Sequence, residues 1–154
     1  MNIERIVADF ETCKKAHEIG LRLDTVLKWA TYEEQGQYVI SEKKGQHQYV
    51  LNGGYKPIDY DDFAIPAPTA EEVPLPWKKS LNGKKISLFQ AGDGISVYDH
   101  VKQRTCVSCS YDDEDKSRAT IYLALAIWLI KNVPEARQWY TNNGYLKEVN
   151  NDRD

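Results

Sequence analysis

Ser117-Arg118-Ala119-Thr120-Ile121-Tyr122-Leu123-Ala124-Leu125-Ala126-Ile127-Trp128-Leu129-Ile130-Lys131 contains a ten-residue run with no polar face. From Ile121 to Ile130 every residue is apolar or aromatic. A surface helix shows only an apolar stripe, so a helix apolar all round is enclosed by protein or by lipid. The run is half of the ~20 residues that span a bilayer, so protein is the expected enclosure. Ser117 stands before the helix as its N-cap, and Pro134 stops it after Lys131 and Asn132. The run from Ile121 to Ile130 holds no Ser, His, Cys, Asp or Glu, so it marks the core and carries no chemistry.

On its N-terminal side lie the strands that this helix would cover. Lys85–Gln90 and Ile95–Asp99 flank Ala91-Gly92-Asp93-Gly94, a hairpin signal. Thr105–Tyr111 reads as a third strand, and the charge run Asp112-Asp113-Glu114-Asp115 leads from it into the helix. Beyond Pro134, Glu135–Asn143 reads as a short last helix ended by Gly144, and residues 149–154 as a frayed polar end.

The first half repeats the theme in reverse order. Residues 9–19 form a helix, with Asp9 as N-cap and Gly20 as its stop. Its apolar stripe continues from Ile3, Ile6 and Val7 through Phe10, Cys13 and His17. Three strands follow, Asp24–Tyr32, Tyr38–Ser41 and His47–Leu51, separated by polar turns. Residues 52–80 then hold five of the six prolines and read as an irregular, extended connection. Within it Thr69 and Glu72 form a capping box that Pro74 cuts short. Strands joined by short turns, with helices at either end, predict an α+β fold. It has antiparallel sheet of meander type, one buried C-terminal helix and an N-terminal amphipathic helix packed on it. The whole is expected to be a single domain over residues 1–148.

Composition narrows the function classes. The chain has 154 residues, 42% hydrophobic and 28% charged, an ordinary balance for a globular protein. Ten Tyr, four Trp and three Phe supply the area for a core. Twenty Lys and Arg against 23 Asp and Glu leave no basic excess to pair with phosphates, which disfavours nucleic acid as a partner. Neither a secretory signal nor a membrane span is expected. Three Cys without secretory context fit free thiols in a cytoplasm.

Four constellations offer chemistry. Cys13 and His17, spaced C-x₃-H, and Cys106 and Cys109, spaced C-x-x-C, supply ligands for zinc or a thiol redox pair. An odd separation on a strand points the two thiols to opposite faces, so free thiols and a core histidine are the expected reading, with no metal or cofactor. Asp99 and His100 are an adjacent acid and imidazole, the seed of a small hydrolase site, although no nucleophile elbow accompanies them. The carboxylates Asp59, Asp61 and Asp62, like the run 112–115, lack calcium-loop spacing and read as solvated. Tyr55, Tyr60, Phe63 and Trp77 sit among prolines and acids, where aromatics either anchor a loop or form the centre of a partner site. They are the candidate partner-binding residues.

Three blocks in order complete the reading. They are Asp9–Gly20 with Asp24, Thr25 and Trp29; Ala67–Glu72 with Leu75 and Pro76; and Ala124–Asn132. Together they resemble a group of small proteins encoded by bacteriophages, prophages and related mobile elements. Pro74 interrupts a helix that is longer in the group, and Arg118 stands where the group has proline. The resemblance implies a phage or prophage accessory protein in the bacterial cytoplasm and implies no reaction. The expected function is non-enzymatic binding of an unknown host or phage protein, by a monomer or weak homodimer.

Overall fold

The computed structural model describes residues 6–31, 47–51, 65–76, 85–112 and 116–147. The elements are α1 (Phe10–Glu18), β1 (Leu27–Thr31), β2 (His47–Leu51), β3 (Ile65–Pro66), β4 (Ile86–Ala91), β5 (Gly94–Asp99), β6 (Arg104–Ser110), α2 (Arg118–Asn132) and α3 (Pro134–Asn142). A single 3₁₀ turn covers Ala70–Glu72. The fold is α+β, with two three-stranded antiparallel sheets ordered β2-β1-β3 and β4-β5-β6. Among the described residues no helix is long and apolar enough to cross a membrane.

α2 is the axis of the core. Ten of its residues are buried, including Leu123, Leu125, Ala126 and Leu129. The enclosure is not complete: Ala124 is exposed and Trp128 half-buried. Ser117 caps the helix, its Oγ accepting from the Thr120 N–H at 3.0 Å. The same Oγ donates to the Val7 carbonyl at 2.8 Å, and Thr120 Oγ1 accepts from the Asp9 N–H at 2.9 Å. The starts of α1 and α2 are thereby tied together across 110 residues of chain. Asp9 caps α1 as expected, accepting from the Thr12 N–H at 2.9 Å.

The buried side of α1 differs from the stripe expected of it. Cys13 and Ala16 face inward, whereas His17 is exposed and is not a core histidine. A small residue at position 16 lets α1 lie close to its neighbours, which turns the 17 position outward. Gly20 then closes the helix at φ +85°, in the left-handed region that glycine tolerates.

The proline-rich connection is partly structured. Ile65 and Pro66 pair with Trp29 and Lys28, so this segment supplies the outer strand of the first sheet among the described residues. Proline is tolerated there because an edge strand can leave its missing donor outward. The Glu72 carboxylate accepts from the Thr69 N–H at 2.9 Å and from the Val26 N–H at 3.1 Å, tying the turn to the start of β1. The Tyr38–Ser41 strand, the carboxylates 59, 61, 62 and 113–115, and the polar end 149–154 lie outside the described residues.

The C-terminal segment closes back onto the N-terminal one. Pro134 stops α2 and starts α3, where its missing N–H removes nothing a helix needs. Tyr140, fully buried, donates from its hydroxyl to the Pro74 carbonyl at 2.7 Å. The Arg22 N–H donates to the Tyr145 carbonyl at 2.7 Å, and Leu21 bridges Leu146. One cluster of buried residues runs from Val7 and Trp29 through α2 to Leu88, Ile95 and Val97 of the second sheet.

Candidate functional site

The second sheet has one buried face and one open face. Leu88, Ile95 and Val97 point into the core, and Val107 and Cys109 pack beside them. Phe89, Ser96 and Ser108 pair in one row across the opposite face. Phe89 is 52% exposed there, which is unusual for so large an apolar ring. Tyr98 lies edge-on to it at 6.2 Å and to His100 at 4.9 Å.

His100 is exposed at the end of this face. Its Nε2 lies 2.8 Å from Ser87 Oγ, a contact that sequence spacing does not reveal because the two residues meet only through strand pairing. Asp99 does not complete a triad with them. Its Oδ1 accepts from the Val101 and Lys102 N–H groups at 2.9 and 3.1 Å, closing the turn after β5. Those two donors, Lys102 foremost, hold its carboxyl below the usual carboxylate range. The acid and imidazole adjacent in sequence are thus directed to different partners, as alternation along a strand requires.

The cysteines are likewise dispersed. Cys13 is 1% exposed and its Sγ donates to the Ala8 carbonyl at 3.5 Å. Burial pushes its thiol up from 9.0 to about 12, with the Asp9 charge adding to the effect and the Trp29 side chain opposing it. Cys106 is exposed and Cys109 half-buried, with its thiol raised by burial. Cys106 is the extra residue of a bulge, where the register with β5 shifts between Val97 and Tyr98. Among the described residues no three of His, Cys, Asp and Glu come together to hold a metal ion. The aromatic set Tyr55, Tyr60, Phe63 and Trp77 lies outside the described residues.

A different site emerges beside β6. A groove of about 440 Å³ is walled by Asp9, Thr12 and Lys15 of α1 and by Ser108, Cys109 and Ser110 of β6. Its floor comes from Thr120, Ile121 and Ala124 of α2, and Lys116 stands at its rim. The exposure of Ala124 on the otherwise buried helix belongs to this groove. A second hollow of about 360 Å³ lies at the hairpin end of the sheet, and Ser108, Cys109 and Ser110 line it too. The end of β6 therefore stands between two concavities.

Packing holds this strand end in place. A Cβ at residue 94 would collide with the Cys109 carbonyl oxygen, so glycine lets β5 and β6 approach closely. Next to it, Gln90 Nε2 donates to the Tyr122 hydroxyl at 2.8 Å, and the Tyr111 hydroxyl lies 3.3 Å from that of Tyr122. The Arg118 guanidinium covers the Tyr111 ring at 4.1 Å. Burial first, then Tyr111, push the Tyr122 hydroxyl up to about 12, so it stays a neutral donor and acceptor.

Sequence reading missed this groove. Its residues are ordinary types drawn from three separated segments, and no spacing signals them. Comparison with protein-family models, with curated proteins and with solved structures finds no match.

Proposed function

We propose that this chain is a binding module that acts on another macromolecule without catalysing a reaction, in the service of a bacteriophage or prophage. The phage context and a bacterial cytoplasmic location rest on the resemblance of the blocks at 9–29, 67–76 and 124–132. The binding role rests on one observation above all: the end of β6 borders a concave groove floored by the rigid α2. Binding sites are concave and placed on rigid elements, and a helix whose far side is packed in the core is such an element. The partner is a host or phage protein.

Affinity capture with cross-linking, from host cells carrying the phage element, tests this reading. A stoichiometric protein partner supports it. Recovery of the bait alone, from cells in which the element is expressed, ends it.

A further inference from the structure

We propose that the open face of the second sheet, at its His100 end, binds single-stranded nucleic acid, with Phe89, Tyr98 and His100 taking bases and Lys85, Lys102 and Arg104 taking phosphates. The inference goes beyond the protein-binding reading above and does not rest on it.

The first argument is the ring cluster. Phe89 pairs with Ser96 and Ser87 with Tyr98, and the His100 N–H donates to the Lys85 carbonyl. Alternation along the strands then sets Lys85, Ser87, Phe89, Tyr98 and His100 on the face opposite buried Leu88, Ile95 and Val97. The centroids of the three rings lie within 6.5 Å of one another, and their planes cross at 58 to 76°, so no two of them stack face to face. Phe89 and His100 are exposed and Tyr98 is half-buried. Ser87 Oγ, at 2.8 Å from Nε2, holds the His100 ring in its orientation. Rings presented on an open sheet face are what unpaired bases stack on, at ~1–3 kcal/mol per base.

The second argument is charge. The segments that form this end, Lys85–Gln90 and Tyr98–Cys106, hold Lys85, Lys102 and Arg104 against the single carboxylate Asp99. Lys84 precedes them in the chain, with no further acid between Lys84 and Gln90. Lys85, Lys102 and Arg104 are all exposed, and Asp99 Oδ1 is turned to the N–H groups of Val101 and Lys102. The acids Asp93 and Asp112 belong to the opposite end, where Gly94 pairs with Ser110. The six residues of β5 separate the two ends. That is roughly 17 Å, about two Debye lengths at physiological salt, so the acidic end does not cancel the basic one. The chain's net charge of -3 is a sum that conceals this local excess of cations.

The third argument is the occupant. An acidic peptide would meet the cations and leave the rings without a partner, and a duplex hides the faces of its bases. A single strand offers phosphates and open bases together, at the spacing of neighbouring side chains on a sheet. A lipid surface would instead take up Val101, the apolar tip of the turn, which is 68% exposed.

The test titrates the full chain with labelled oligothymidylate and oligouridylate of about eight nucleotides. An abasic oligomer of equal charge and vesicles of anionic lipid serve as rivals. Anisotropy reads affinity, and NMR shift changes read location. Binding of either oligonucleotide is expected, with shifts at Phe89, Tyr98 and His100, and the ratio of the two assigns the sugar. The abasic oligomer should bind at least about fivefold more weakly, and Phe89→Ser should weaken the parent oligomer by the same factor, the loss of one base stack. Lys102→Gln with Arg104→Gln should lower the slope of log affinity against log salt by about 1.4, two phosphate contacts on a single strand. Melting temperatures should be unchanged in these variants. No binding at about 1 mM oligonucleotide, equal binding of the abasic oligomer, or an unaltered affinity in Phe89→Ser each overturns the proposal. So does binding to vesicles alone that Val101→Ser abolishes.

Discussion

α2 and β6 are neighbours in the chain, separated only by Tyr111–Ser117, yet they are used in opposite ways. α2 buries ten side chains, and its first turn is closed by Ser117. β6 buries none fully: Arg104 to Cys106 are exposed, the rest alternate between half-buried and exposed, and among the described residues one of its edges has no partner. The helix satisfies its own backbone, so it can be enclosed. A strand depends on neighbours, so an edge strand carries unspent hydrogen-bonding capacity. In this protein buried contacts are concentrated in the first element and exposed residues in the second.

The contrast predicts a graded series of effects. The largest belongs to α2. Leu125 is 1% exposed, and Leu125→Asp removes its packing and buries a charge, at a cost of more than about 4 kcal/mol. Urea or thermal melts should show loss of the folded state; an unchanged melting temperature would mean that α2 is not enclosed.

Next comes Ser117, whose hydroxyl both caps α2 and reaches Val7. Ser117→Ala should cost about 2 kcal/mol in urea denaturation, because it loses a cap and leaves a carbonyl unanswered. Tyr140→Phe should cost about 1–2 kcal/mol by the same measurement, since the Pro74 carbonyl loses its donor. A neutral result there would show that the junction of α3 with the segment around Pro74 is wetter than its burial implies.

The cysteines sharpen the comparison chemically. Cys106 on the open strand should react with a thiol reagent at once, Cys109 more slowly, and Cys13 only on unfolding. The raised Cys13 pKa also makes a pH prediction. Below the ordinary 9.0 the thiol is neutral in both states and its contribution to stability is fully present. As pH rises from there toward about 12, the unfolded chain ionises while the folded chain does not, so stability falls. Tyr122 acts with the same sign between 10.0 and about 12. Denaturation curves at about pH 8 and about pH 10.5 should show the decline, and Cys13→Ala should make it shallower.

The smallest effect lies on the open face. Phe89→Ser should change stability by no more than about 0.5 kcal/mol, because the ring is half in water already. A larger loss would mean that its contacts with Tyr98 and His100 organise the sheet.

Much of this architecture follows from short-range patterns. Ser117, the run Ile121–Ile130 and Pro134 bound α2, and Ala91-Gly92-Asp93-Gly94 marks the hairpin of β4 and β5. Asp9 and Gly20 bracket α1 for the same local reasons. The strand made by Ile65 and Pro66 escaped such reading, since proline argues against sheet and the pairing that admits it is made with Trp29, distant in sequence. His17 was misplaced because helical spacing gives a stripe without saying where its boundary falls. The hydrogen bond of Ser87 to His100 also depends on register between strands.

Helix limits, turns and the identity of the core helix were thus written in the order of residues, because caps, glycines and apolar runs act on their nearest neighbours in the chain. Which edge of the second sheet has no partner among the described residues, and that Lys15, Lys116, Ser108 and Ser110 share one groove, came only from the fold. Strand order and the approach of α1 to β6 are set by the packing of one core, and no local pattern encodes which distant segments that packing brings together.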